Sequence, residues 1–325
     1  MTCPHCTTLL PDDDRFCEAC GEKLFEDAPQ TDVLATDPDA PTPPAPPGAV
    51  CTCGAPESEW DEEGFCSQCG RRCRPDPEDH TEQEISPEFA AVSDRGKQHT
   101  RNEDRFQIAA AEDERAILIV CDGVSSSSNA ETAAATGAQT VLERLQAGDS
   151  LVTAVDSARE AVATLASAAV RDVAPSSTLV AAVVQEHKAE ICWLGDSRAY
   201  WISESDSRQL TNDHSWLNEV VFSGEMTYEQ ASEAPQAHAI TRWMGADAPR
   251  ETRAERVTFE IPGSGWLLFC TDGLWNYTPE APQLRERVLA ADAEASTLEV
   301  ARQLVAFANE SGGKDNITVA LLRFR

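Results

Sequence analysis

The chain has 325 residues, 56 acidic and 26 basic side chains and a formal net charge of −30. That length allows one domain of about 240 residues with a proper core beside a small N-terminal region. Residues 1–85 hold 20 acidic and 5 basic side chains and the remainder 36 and 21, so neither part offers the basic footprint that nucleic-acid binding needs. The opening Met1-Thr2-Cys3-Pro4 has no basic and apolar leader, and apolar runs such as Ala116 to Cys121 are far too short to span a bilayer. A cytoplasmic protein with no membrane partner is therefore expected.

Twelve cysteines without a signal peptide point to metal rather than disulfides, and their pairing in sequence says where. Cys3 and Cys6, then Cys17 and Cys20 ten residues later, form a four-cysteine zinc-ribbon pattern over residues 1–25, because two knuckles joined by a hairpin close a tetrahedron. Residues 26–49 are rich in Pro, Ala and Asp and read as an extended linker. A second ribbon is expected over residues 50–75 from Cys51, Cys53, Cys66 and Cys69, with Cys73 a spare thiol that could replace Cys51. About 25 residues cannot bury enough surface to fold without a staple, so two structural Zn²⁺ ions are predicted. Residues 76–84 read as an acidic connector that lets the ribbons swing semi-independently. Their acidic character favours docking to proteins.

The remaining residues, 85–325, alternate between apolar β-branched runs and helical periods. Strands are predicted at Ile117–Cys121, Thr178–Val184, Glu190–Leu194, Ala199–Ile202, Trp266–Cys270 and Ile317–Phe324. Helices are predicted from a Ser128–Glu131 capping box to about Gln146, from Leu151 to Val170 and from Ser296 to Asn309. Aspartates recur where such runs end, in Asn102-Glu103-Asp104, Cys121-Asp122-Gly123, Thr271-Asp272-Gly273 and Lys314-Asp315-Asn316. Carboxylates gathered at a sheet rim without His or Cys select hard cations, so Mg²⁺ or Mn²⁺ is expected rather than Zn²⁺.

The order of these phrases, together with Ser93-Asp94-Arg95-Gly96, Ser177-Thr178, Gly195-Asp196-Ser197-Arg198, Leu210 to Ser215 and Gly312 to Thr318, resembles the metal-dependent protein phosphatases of type 2C, the PPM family. The resemblance runs from about Ile85 to Arg325. It implies an α+β fold, a four-layer α-β-β-α sandwich of two antiparallel sheets, with a helical flap over Trp216 to Ala234. It implies that Asp122 bridges two Mn²⁺ or Mg²⁺ ions, that the Gly123 carbonyl joins one, and that Asp272 and Asp315 complete the other. Glu103 and Asp104 would hold metal-bound waters, and Asp196 could help with a third, looser ion. The implied reaction is hydrolysis of phosphoserine and phosphothreonine on proteins by a water bridging the metals. The implied partners are phosphorylated proteins and a Ser/Thr kinase circuit, with the enzyme a monomer. Eukaryotic relatives carry His where this chain has Val124, so a metal-bound water is the substitute proton donor.

Family members carry an Arg five residues before the Asp104 position; here that residue is His99, with Arg101 two residues later, and either could hold the phosphate. A competing motif, Cys192-x-x-Gly195-x-x-Arg198, fits the phosphate loop of cysteine-dependent phosphatases, but a strand rather than a helix should follow it, giving a hairpin. Cys121, Cys192 and Cys270 are accordingly expected in the core. The alternative function is a catalytically silent adaptor that binds phosphoproteins.

Overall fold

The computed structural model describes residues 50–325 apart from 52, 62–63, 71–72, 75, 112–114, 167–173 and 293. The first ribbon, with Cys3, Cys6, Cys17 and Cys20, and the linker at 26–49 lie outside the described residues. In chain order the elements are β1 (His80–Ser86), β2 (Phe89–Asp94), β3 (Arg105–Ala110), β4 (Ala116–Cys121), α1 (Ala130–Gln146), α2 (Leu151–Ala163), β5 (Leu179–Gln185), β6 (Lys188–Leu194), β7 (Arg198–Ile202), β8 (Ser207–Gln209), α3 (Trp216–Phe222), α4 (Tyr228–Ser232), β9 (Glu255–Glu260), β10 (Gly265–Cys270), α5 (Asp272–Trp275), α6 (Ala281–Leu289), α7 (Thr297–Glu310) and β11 (Ile317–Phe324).

Two antiparallel sheets form, in the orders β1-β2-β11-β10-β7-β8 and β3-β4-β5-β6-β9. Their central strands are apolar on both faces because both faces are covered. Along β4, Leu118 and Val120 meet the other sheet, while Ile117, Ile119 and Cys121 pack under Ala133, Val141 and Leu145 of α1 and Leu151 and Val155 of α2. Along β10, Leu267 and Phe269 enter the inter-sheet core, and Leu268 and Cys270 pack against Leu284 of α6 and Val300 and Leu304 of α7. Three apolar interfaces thus hold four layers, the expected α-β-β-α sandwich. Each large side chain buried there contributes roughly 1.5–3 kcal/mol, enough in aggregate to fix the sheet rims without help from a ligand. Among the described residues, no helix is long and apolar enough to cross a membrane.

Several expectations need correction. The stretch 76–84 is not a free connector: Asp76 caps a 3-10 turn at Pro77–Asp79, and His80 to Ser86 pair with β2 as an edge strand. Its charges mimic a linker because an edge strand faces water. The Ser128 capping box does not open α1; Asn129, in the left-handed region at φ 52°, is the cap position and makes no side-chain cap bond. The serines before it serve neighbouring loops instead, Ser127 Oγ accepting the Ser176 N–H at 3.1 Å and Ser125 donating to Glu103. The helix starting at Leu151 ends at Ala163 rather than Val170. The segment Cys192 to Arg198 is not a hairpin within one sheet: β6 pairs with β5 and β9, β7 with β10 and β8, so the Gly195 turn crosses between sheets. The flap forms as α3 and α4, packed through Leu217, Val220, Ala231 and Ala237.

Candidate metal centres

The strand registers bring the acidic phrases to one rim. Asp104 precedes β3 and Asp122 follows β4, whose facing residues are Arg105 and Cys121. In the other sheet Cys270 faces Val319 and Arg198, which sets Asp272, Asp315 and Asp196 at the corresponding end. Side-chain bonds then tie the two sheets together. Thr271 Oγ1 donates to Asp104 Oδ2 at 2.8 Å and itself accepts the Thr318 N–H at 3.0 Å. Asn316 Oδ1 accepts the Glu103 N–H at 2.8 Å, and its Nδ2 donates to the carbonyls of Arg95 at 2.8 Å and Arg101 at 2.9 Å. Neither Thr271 nor Asn316 stood out as functional in the sequence; each simply neighbours a singled-out Asp.

The glycines after the aspartates have a steric cause. A Cβ on Gly123 would lie 2.7 Å from the Ala130 carbonyl oxygen and 2.8 Å from that of Glu103, and one on Gly273 would lie 1.9 Å from the Asn316 carbonyl oxygen. Glycine here lets neighbouring chain segments at the end of each sheet close on each other. On the far side, Trp275 Nε1 donates to the Asp196 carbonyl at 3.0 Å, and Arg198, paired with Asp213 at 2.6 Å, lies 3.7 Å over the Trp275 ring. That stack fixes the Asp196 turn.

Whether these residues suit a divalent cation can be judged from Asp104. It is 1% exposed, and its Oδ1 has no hydrogen-bond partner among the described residues. Burial, with the nearby Asp315 charge, pushes the Asp104 carboxyl up to about 7 against the opposing bonds from Thr271 and Thr318. A buried oxygen left without a donor is costly unless a cation or an ion-held water completes it, and all-oxygen surroundings suit Mg²⁺ or Mn²⁺. Among the described residues, the rim carboxylates do not converge as one ligand group.

The two phosphate candidates sit differently. His99 Nε2 lies 3.1 Å from Asp315 Oδ1 with its ring only 8% exposed, whereas the Arg101 side chain is 41% exposed and 3.8 Å from Glu131 at the start of α1. Cys192 is buried, and burial pushes its thiol up to about 12; Cys121 and Cys270 are buried and raised as well. All three are core residues, as expected.

A second centre lies in the described ribbon. The thiols of Cys51, Cys53, Cys66 and Cys69 all lie within 4.8 Å of one another, with Cys51–Cys69 at 3.4 Å and Cys53–Cys66 at 3.6 Å. Tetrahedral zinc with bonds near 2.3 Å separates its sulfurs by roughly 3.8 Å, so this spacing fits the ion. Between Cys51 and Cys73, the four-thiol set contains Cys51. Burial raises the Cys51 thiol, but the Cys53 amide and the Cys73 and Cys69 thiols outweigh it and bring it to about 6, while burial and the Cys51 thiolate push Cys73 up to about 12.

Known proteins resemble the chain in both its N-terminal and its larger part. A family model for protein phosphatase 2C matches residues 94–309, and one for a zinc-ribbon domain matches residues 2–24. The serine/threonine phosphatase stp of Listeria innocua is 31% identical over 242 residues, which cover 71% of this chain and 93% of that protein. The solved structure of serine/threonine phosphatase Stp1 from Staphylococcus aureus superposes with a TM-score of 0.65 at 26% identity, covering 76% of this chain and 98% of that one. The catalytic domain of the protein phosphatase PstP, solved in complex with two manganese ions, gives a TM-score of 0.58 at 25% identity and covers 73% and 98%. With two thirds of its length matched in one model and its acidic rim built as described, this chain belongs to the protein phosphatase 2C family.

Proposed function

We propose that this serine/threonine protein phosphatase hydrolyses phosphoserine and phosphothreonine at the acidic rim, with Asp122, the Gly123 carbonyl, Asp272 and Asp315 holding a pair of Mn²⁺ or Mg²⁺ ions. The observation that carries the reading is the buried, unpartnered Asp104 Oδ1 beside that rim. When bound, such a pair acidifies water and offsets charge on the phosphoryl oxygens. Glu103, held by Ser125, and Asp104, held by Thr271, orient water within the centre. Asp196 serves a third, looser ion. Val124 has no proton to give, so the leaving oxygen takes its proton from water.

Arg101 grips the substrate phosphate. It is always charged and exposed, whereas His99 is committed to Asp315 and orients that carboxylate. The two ribbons each hold one structural Zn²⁺ and dock the enzyme to proteins, in keeping with the acidic composition of residues 1–85. Thiols that must stay reduced to hold zinc suit the cytoplasm, and the enzyme acts there as a monomer opposing a Ser/Thr kinase.

Hydrolysis of a phosphothreonine peptide by the full chain, with and without Mn²⁺ or Mg²⁺, tests this. Turnover should require the added metal and survive Cys192→Ser. A folded, metal-loaded Cys192→Ser protein with no turnover would overturn the assignment, and a metal-loaded wild type that binds the peptide without hydrolysing it would make the protein an adaptor.

A further inference from the structure

The described ribbon does not swing free of the catalytic body. The peptide leaving it is held by the loop that runs from β2 to β3. Arg95 donates its N–H to the Asp79 carbonyl at 2.7 Å and pairs with the Asp79 carboxylate at 3.6 Å. Asn102 Nδ2 donates to the Glu78 carbonyl at 3.2 Å, and Arg105 pairs with the Glu78 carboxylate at 2.9 Å. A separate contact comes from inside the ribbon, where the Phe65 ring lies under the Arg101 guanidinium, 5.1 Å from centroid to Cζ.

Phe65 is itself held on both sides. Its backbone exchanges two bonds with Asp61, each 2.8 Å, and Trp60 bridges Cys66. Gly64, at φ 88°, makes the turn before it, where a Cβ would lie 2.5 Å from Arg74. The next residue, Cys66, is a member of the four-thiol set. Arg101 is held at its backbone by Asn316, the same side chain that accepts the Glu103 N–H. Its long side chain would otherwise sample many rotamers, and a fixed aromatic face selects among them.

We infer that Phe65 is a positioning residue for substrate phosphate: the second zinc ribbon forms part of the rim of the catalytic site and presents an aromatic face that orients Arg101. The inference rests on Arg101 being the group that grips phosphate. It makes the ribbon a contributor to substrate affinity at the site itself, beyond any role in docking.

The test uses the full chain. Phe65→Leu keeps an apolar side chain in the ribbon and removes the π face, and Phe65→Tyr restores that face. With a phosphothreonine peptide, Phe65→Leu should raise KM about three- to tenfold, the range of a cation–π contact, with kcat within about twofold. Affinity for inorganic phosphate, measured by calorimetry, should fall by the same factor, with zinc content unchanged. Phe65→Tyr should match the wild type, and in an Arg101→Ala background Phe65→Leu should add nothing further. If Arg101→Ala raises KM and Phe65→Leu does not, the inference is overturned while the phosphate assignment stands. If neither changes KM, the assignment of Arg101 fails and the inference falls with it. A Phe65→Leu effect that persists without Arg101, or that tracks loss of zinc, also overturns it.

Discussion

The two candidate metal centres are built on opposite physical plans. The thiols of Cys51, Cys53, Cys66 and Cys69 crowd within 4.8 Å of one another, and among the described residues the apolar cluster around them holds Cys51, Ala55 and Cys66 as its buried members, with Trp60 and Cys73 against it. The carboxylates of the rim stand beyond the ends of strands whose inner faces bury residues such as Trp201, Phe269, Leu118 and Val120. In the ribbon the metal substitutes for a core, so folding and binding are one process. In the sandwich the core exists first, and the carboxylates are set along one rim by a scaffold whose stability does not depend on the ion. Loss of metal should therefore unfold one region and merely silence the other.

The sharpest way to break that comparison is to remove one ligand from each centre. Asp272→Ala should reduce kcat by at least ~10³-fold, because it deletes a carboxylate of the pair that acidifies water, while the melting temperature stays near that of the wild type. Cys66→Ser should do the reverse, losing zinc and ribbon structure while kcat on a small phosphoester stays within a fewfold. Should Asp272→Ala unfold the sandwich, or Cys66→Ser abolish chemistry on the small ester, the division between the two plans would be wrong.

A smaller effect should follow from Gly273→Ala. The added Cβ would meet the Asn316 carbonyl at 1.9 Å, an impossible distance, so the Lys314 to Asn316 loop must move. Overpacking of this kind costs typically about 1–3 kcal/mol, and here it also shifts Asn316 away from Glu103 and Arg101. Thermal unfolding should show the loss, and metal affinity, read by Mn²⁺ titration, should weaken. An unchanged Mn²⁺ affinity would mean that the loop yields without disturbing the carboxylates, and the glycine would then be only a turn residue.

What could be read in the sequence divides along the same line of burial. Strands β4, β5, β6, β7, β10 and β11 announce themselves as apolar runs because both their faces are covered. The strands β1, β8, β3 and β9 do not, and these are the four sheet edges. Edge strands carry charge to discourage pairing with other chains, so Glu255-Arg256-Val257-Thr258-Phe259-Glu260 and His80 to Glu84 look like solvated loop or linker. Strand β2 was missed for another reason: Phe89-Ala90-Ala91-Val92 is short and half alanine, although buried. At the site, the aspartates were legible because a charge ending an apolar run is unusual. The contacts that hold them were not, because Thr271 to Asp104 spans 167 positions and Asn316 to Glu103 spans 213. The clasp of the ribbon on Arg101 is equally a product of folding, since nothing in the spacing of the cysteines foretells where Phe65 will rest.

The smallest expected effect concerns the edge strand that joins the two regions. His80 Nδ1 lies 2.7 Å from Asp94 Oδ2 and its Nε2 lies 3.0 Å from Glu82 Oε1, with Glu82 paired in turn to Arg302 of α7. The bond to Asp94 is the main cause that raises the His80 pKa above its ordinary 6.5, against the opposing pull of burial. Burial works against ionisation of Asp94, but the bonds from His80, Asn309 and the Gly96 N–H prevail and lower it. A raised His pKa stabilises the fold fully below pH 6.5 and loses that contribution as pH rises through the folded value; a lowered Asp pKa stabilises it above the ordinary 3.8 and fails as pH falls through the folded value. The pair should therefore help most between about pH 4 and 6.5. Being partly exposed, it is worth on the order of 1 kcal/mol or less. Urea unfolding of the full chain, wild type against His80→Gln, should show a gap that is widest in that window and closes above it. Parallel stability curves from pH 5 to 9 would mean that His80 holds the strand by packing alone, and that the junction between ribbon and sandwich is insensitive to pH.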